Sequence, residues 1–189
     1  MGHNRLPFPL KCDASQRGPM DFRTLVREVP DFPLPGTRFR DISPLLADSA
    51  AFGRAIDAMA APILTLQPTH VLGLESRGFI FGSALAQKMG LGFVPARRSG
   101  KLPPPTLQDV FATASGPHSL EIQQDAFKAG DRVLIVDDII ATGNTAAAAK
   151  RLIERTGAHP VALTLFLESA HLPGRENLAG LPVFSVLRY

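Results

Sequence analysis

Among its 189 residues the chain has one cysteine, Cys12. No internal disulfide can form and no cysteine-based metal site is available, which fits a reducing compartment and predicts a cytoplasmic protein. Long apolar runs are missing as well. No segment approaches the roughly 20 apolar residues that span a bilayer. The short apolar stretch from Leu6 to Leu10 is interrupted by Pro7 and Pro9, and Lys11 directly precedes the cysteine, which argues against a signal or lipid-anchor reading. Runs of Lys or Arg with interleaved aromatics are absent. The formal charge is only +3 despite a pI near 9.4, so a nucleic-acid partner is disfavoured. Scattered arginines suit an anionic small molecule such as a phosphorylated sugar. Neither a P-loop lysine nor a post-strand GxGxxG is present, which disfavours triphosphate hydrolysis and dinucleotide binding. There is no internal repeat.

What remains reads as one soluble globular domain, with apolar residues at 45% and charged residues at 20%. Residues 1–20 mix Pro, Gly and polar residues without a period and are expected to be a disordered extension, leaving a single domain over 21–189. Asp21 to Val29 predicts a short amphipathic helix, with Phe22, Leu25, Val26 and Val29 on one side. The prolines at 30, 33 and 35 preclude regular structure until about Thr37. Ser49 is placed to cap a helix running to about Ala61, where Pro62 breaks it. His70–Leu74 predicts a buried strand, Phe79–Met89 a helix stopped by Gly90, and Gly92–Ala96 another strand. From Arg97 to about His118 the chain reads as a long irregular stretch, followed by a strand over Ser119–Gln123. Pro160–Leu167 and Val183–Leu187 supply further strands, with Pro173–Gly180 a loop holding one helical turn. Strands alternating with helices predict an α/β fold with a central, mostly parallel sheet.

The most informative stretch is Val133 to Gly157, VLIVDDIIATGNTAAAAKRLIERTG. Four apolar residues predict a strand buried on both faces. Asp137 and Asp138 follow at its carboxyl end, then the small-residue loop Ala141, Thr142, Gly143, Asn144 and Thr145, then an alanine-rich helix. Small residues let backbone N–H groups approach a phosphate, the threonines add hydroxyl donors, and the helix N-terminus adds its positive end. The two carboxylates are poor neighbours for the phosphate itself and good acceptors for ribose hydroxyls.

VLIVDDIIATGNTA resembles the phosphoribosyl-pyrophosphate (PRPP) signature of the type I phosphoribosyltransferases. PDFPLPGTRFRDISPLL, LESRGFIFGSALAQKMGLGFVPARRSGKLPPPT, LEIQQDA and the tail LESAHLPGRENLAGLPVFSVLRY are similar, in order and spacing, to the adenine phosphoribosyltransferase family. The resemblance covers about Asp21 to Tyr189. It implies a type I phosphoribosyltransferase fold with a small hood from the N-terminal segment and a mobile loop. It also implies a homodimer working in purine salvage, which converts adenine and PRPP to AMP and pyrophosphate with Mg²⁺ carried by PRPP and no direct protein ligand to the metal. Carried over residue by residue, Asp137 and Asp138 hold the ribose, and Ala141 to Thr145 cradle the 5-phosphate. Glu75, Ser76 and Arg77 form the pyrophosphate loop, with a cis peptide between Glu75 and Ser76. Arg97 and Lys101 reach pyrophosphate, and Arg77 stabilises it as it leaves. Arg38, Phe39 and Arg40 lie at the purine.

The resemblance fails where the family usually carries a mobile loop resembling SYxLEYG. This chain reads LQDVFATASGPHSL, which puts Ala114 at the position of the proton-donating glutamate, Ser115 at the following tyrosine and Phe111 at an earlier one. The general acid is therefore unknown, with Asp109 a candidate. Asn144 stands where the family more often has Gly, and Arg38 where an apolar residue usually faces the base. Two alternatives follow: a phosphoribosyltransferase for hypoxanthine, guanine or another purine, and a catalytically impaired PRPP-binding regulator.

Overall fold

A computed structural model describes residues 20–113, 116–178 and 180–189. The extension expected over residues 1–20 lies, but for Met20, outside the described residues. Two compact units divide the chain, one running up to Arg54 and the other from Ala55 to Tyr189. Among the described residues no helix is long and apolar enough to cross a membrane.

In the N-terminal unit the helix expected over Asp21–Val29 is instead a 3-10 turn, Phe22–Leu25, followed by strand β1, Arg27–Pro30. Asp21 caps the turn by accepting from the Arg23 N–H. β1 pairs antiparallel with β2, Arg38–Asp41. The β-branched Val26 and Val29 and the terminal Pro30 favour extended backbone over continuation of the helix. Cross-strand charge adds to it: Glu28 meets Arg38 and Arg40, and Arg27 meets Asp41 at 2.7 Å. Helix α1, Ser43–Ala47, follows. Helix α2, Ser49–Ala60, is capped by Asp48, whose Oδ1 accepts from the Ala50 and Ala51 N–H groups, rather than by Ser49. Beyond it the backbone tightens into a 3-10 stretch, Ala61–Leu66, entered through Pro62.

The C-terminal unit is built on a seven-stranded sheet. Its strands are β3 (His70–Leu74), β4 (Gly92–Arg98), β5 (Thr106–Thr113), β6 (Gly116–Gln123), β7 (Arg132–Ile140), β8 (His159–Glu168) and β9 (Val183–Arg188), in spatial order β5-β6-β4-β3-β7-β8-β9. β4, β3, β7, β8 and β9 run parallel, and β6 and β5 extend the sheet antiparallel. The stretch expected to be irregular up to His118 is therefore mostly a β-hairpin. Its alternating exposure over Thr106–Thr113 is the period-two signal of a half-buried strand, obscured in the sequence by Pro103–Pro105 and by small polar residues.

Helices cover both sheet faces. Helix α3, Gly78–Met89, buries Phe81 and Leu85 on one face, where Phe81 stacks on Phe166 of β8 with ring centroids 5.7 Å apart. Helix α4, Asn144–Arg155, buries Ala149, Leu152 and Ile153 on the other, against Leu72, Leu74, Ile135, Leu163 and Leu165. Val133 to Val136 are fully buried, as a central parallel strand covered on both faces requires.

Candidate active site

The order of strand connection reverses at the β3/β7 boundary. From β3 the chain crosses through α3 to β4 on one side, whereas β7 crosses through α4 to β8 on the other. In an open parallel sheet the crevice beyond the carboxyl ends of the strands at such a switch point is where ligands bind. Gly73 of β3 is in register with Val136 of β7, and Leu74 of β3 with Ala96 of β4. The segments leaving all three strands therefore emerge at one sheet edge. They carry Glu75 to Arg77, Asp137 to Thr145, and Arg97 to Lys101.

Asp137 and Asp138 lie within β7, which continues to Ile140 rather than ending at Val136. Asp138 is 3% exposed and Asp137 half-buried. Asp137 Oδ1 accepts the Asp138 N–H at 2.9 Å. Arg77 Nε stands 2.9 Å from Asp138 Oδ2, in ion-pair contact but without the alignment of a hydrogen bond. This approach depends on Gly78. A Cβ there would lie 2.8 Å from the Val136 carbonyl and 2.9 Å from Asp137 Oδ1, so only glycine lets α3 start this close to the acidic pair. Burial pushes the Asp137 carboxyl well above the usual carboxylate range, and the adjacent Asp138 charge acts in the same direction. Burial raises Asp138 as well, opposed by the Arg77 guanidinium.

Glu75 and Ser76 are joined by a cis peptide, as the resemblance implies. The Glu75 carboxylate accepts from the Arg98 N–H at 2.7 Å and from Arg97 Nη2 at 3.1 Å. Burial alone would raise it, but these donors hold it below the usual range. Arg97 Nη1 also donates to the Lys101 carbonyl at 2.9 Å, so Arg97 and Lys101 are neighbours. Glu121 of β6, which sequence reasoning missed, is a buried carboxylate that shapes this turn by accepting from the Lys101 and Leu102 N–H groups, both at 2.9 Å. These donors outweigh its burial and hold its carboxyl low.

A pocket opens beyond β7, lined by Asp137, Ile139, Ile140 and the loop residues Ala141, Thr142, Gly143 and Thr145. Gly143, at φ +78°, makes the turn into α4, and a Cβ on it would run into the Gly174 carbonyl. The first N–H groups of α4 have no intrahelical acceptor and point toward the loop, an anion-binding arrangement. The Asn144 side chain faces away from this cradle, donating to the Ala112 carbonyl of β5 at 2.8 Å. Asn177, also unanticipated, donates to the Thr142 carbonyl at 2.7 Å and to Asn144 Oδ1 at 3.1 Å. Its only signal in the sequence was its place in the matched tail.

Asp109 is tied to Arg151 of α4 through two hydrogen bonds, at 2.6 and 3.0 Å, so its carboxylate is committed to a guanidinium. Ala114 and Ser115 lie outside the described residues. The residues expected at the purine belong to the N-terminal unit. Phe39 packs edge-on against Phe32 with centroids 5.2 Å apart, and Arg38 donates to Glu28 at 3.0 Å. Arg40 pairs with the same Glu28.

Comparison with known proteins gives this geometry a lineage. Residues 45–177 match the phosphoribosyl transferase domain family. An adenine phosphoribosyltransferase from Carboxydothermus hydrogenoformans is 47% identical over 170 residues, covering 90% of this chain and 100% of that protein. The crystal structure of adenine phosphoribosyltransferase from Rhodothermus marinus is 44% identical with a TM-score of 0.85, covering 89% of this chain and 96% of that one. The enzyme from Saccharomyces cerevisiae, complexed with D-2,5-dideoxy-2,5-imino-altritol 1,6-bisphosphate and adenine, is 38% identical with a TM-score of 0.83, covering 88% and 96%. The mostly parallel sheet with its flanking helices is the type I phosphoribosyltransferase fold, and the chain belongs to the adenine phosphoribosyltransferase family.

Proposed function

We propose that the protein transfers the 5-phosphoribosyl group of PRPP to adenine, forming AMP and releasing pyrophosphate in purine salvage. The observation that carries this reading is the crevice at the β3/β7 switch point, with its acidic pair, small-residue loop and helix N-terminus. Asp137 and Asp138 accept the ribose hydroxyls, and the backbone of Ala141 to Thr145 cradles the 5-phosphate. Glu75 to Arg77, with Arg97 and Lys101, take the pyrophosphate. A purine nitrogen bonds to C1 of the ribose as the C1–O bond to pyrophosphate breaks, and the purine gives up one proton in the exchange. Positive charge develops on the sugar and negative charge on the leaving group. Arg77 is placed to offset the latter, while the acidic pair orients the sugar. Arg38, Phe39 and Arg40 serve the base. Arg38 pairs with Glu28, a carboxylate it shares with Arg40.

Mg²⁺ is proposed to enter with PRPP. Among the described residues no group of three or more His, Cys, Asp or Glu side chains could hold a metal ion. Such a hard cation would take most of its ligands from phosphate oxygens and water. When bound, such an ion screens charge on the departing pyrophosphate. The family resemblance supports a cytoplasmic homodimer, which sedimentation equilibrium checks by returning twice the chain mass.

The reading is tested by supplying PRPP and Mg²⁺ with adenine, hypoxanthine or guanine separately and measuring pyrophosphate release. Turnover with adenine is expected. Preference for another base would replace the substrate, and PRPP binding without turnover on any base would sink the enzymatic reading.

A further inference from the structure

Asn144 joins three segments that are distant in sequence. Its amide nitrogen reaches Ala112 O at the end of β5, its Oδ1 accepts from Asn177 in the turn after β8, and its backbone lies between Gly143 and Thr145, which both line the pocket. Two further contacts continue the line along α4. Arg151 grips Asp109, and Arg155 Nη1 donates to the Gln108 carbonyl. Positions 144, 151 and 155 are spaced by close to whole numbers of helical turns and share one face of α4. They meet residues 112, 109 and 108 in reverse order, so helix and strand lie antiparallel along a polar seam. The lengths agree, since the helix advances about 16 Å over this span and the strand about 14 Å.

The two ends of the seam differ in kind. The Arg151–Asp109 pair at the far end is a charge-assisted fork that needs no ligand. The near end is one neutral amide carried on the loop that would wrap a phosphate. A glycine at 144, which the resemblance makes more usual, would have no side chain to make that contact. We propose that Asn144 is a positioning residue that couples the phosphate loop to the β5–β6 hairpin. A 5-phosphate held by Ala141 to Thr145 fixes the Asn144 backbone and so the direction of its amide, which pins the Ala112 end of the hairpin. Departure of the phosphate loosens that end while the Arg151 clamp keeps the rest docked. The choice of ligand rests on the phosphoribosyl-transfer reading, whereas the contact itself does not.

Backbone hydrogen exchange of the full chain tests both halves, with ribose 5-phosphate as the probe. Asn144→Asp keeps the size of the side chain and its acceptor but cannot donate to Ala112 O. In the ligand-free protein it should speed exchange near Ala112 by about fivefold, the worth of one neutral hydrogen bond, and leave Gln108 and Asp109 unchanged. Asn144→Gly should still gain protection at residues 141–145 on adding ribose 5-phosphate, but lose the accompanying protection of the hairpin end seen in the unaltered protein. Exchange near Ala112 unchanged by Asn144→Asp, or a hairpin in Asn144→Gly that responds as in the unaltered protein, overturns the coupling. If ribose 5-phosphate protects no amide at 141–145 in the unaltered protein, the phosphoribosyl reading fails, and the Asn144→Asp comparison alone then decides the contact.

Discussion

Adjacent carboxylates crowded into a strand end pull function and stability in opposite directions. Asp137 carries a raised pKa because burial and the Asp138 charge both disfavour its ionised form. The native state then holds a proton that the unfolded chain releases near the ordinary value, so stability falls as pH rises from about 4 through the raised native pKa. Above that, the penalty is constant. Asp137→Asn removes it while keeping the Oδ1 acceptor for the Asp138 N–H. At neutral pH the variant should melt about 2–4 °C higher, the gain should vanish near pH 3, and PRPP turnover should collapse. Thermal scans at the two pH values with a pyrophosphate-release assay check this, and equal melting temperatures at neutral pH would contradict the assigned strain. This pair and its loop were legible in the sequence because they are contiguous. The engagement of Asp109 was not, because its partner Arg151 lies 42 residues away and no local pattern joins them.

At the level of elements, β8, β9 and the intervening turn are held by one buried carboxylate. Glu168 is 4% exposed and accepts from Arg175 at 2.6 and 2.7 Å and from the Ser185 hydroxyl, with Arg188 at 3.4 Å. The Arg175 fork, with these neighbours, holds its carboxyl below the usual range against the effect of burial. Its contribution is therefore fully present above about pH 4.3 and lost as pH falls through the lowered native value. Glu168→Gln should cost about 2 kcal/mol at neutral pH, less than a fully buried pair because Arg175 is 42% exposed. The deficit should close on acidification, the opposite sign to Asp137→Asn. Urea unfolding at neutral and acidic pH measures it, and a pH-independent deficit would point to packing instead of charge. Elements with strong apolar runs and glycine stops, β3, α3, β7, α4 and β8, were readable within a residue or two, apart from the carboxyl end of β7. β5, the first residues of β6 and the β1 strand were not. Half-exposed strands with polar and charged partners take their stability from cross-strand pairing, which a linear pattern does not display.

The whole C-terminal unit converges on one edge of its sheet, where three parallel strands deliver an arginine-bearing loop, an acidic pair with a phosphate cradle, and a cationic turn. These segments are far apart in sequence, so an anion that bridges them should bind the native chain and not the unfolded one, and stabilise it by mass action. At a concentration 100 times its dissociation constant, PRPP should add about 2.7 kcal/mol, which raises the melting temperature of a chain this size by about 5–10 °C. The sheet edge also makes a statement about the metal. With no group of three ligating side chains among the described residues, Mg²⁺ alone should leave melting unchanged, and Mg²⁺ with PRPP should exceed PRPP alone. Asp137→Asn combined with Asp138→Asn should shrink the PRPP shift to about 1 °C or less, because the ribose hydroxyls lose their charged acceptors while the loop remains. Thermal scans across these combinations separate the parts. A shift from Mg²⁺ alone would place a metal site on the protein itself, and an undiminished PRPP shift in the double variant would remove the acidic pair from the sugar.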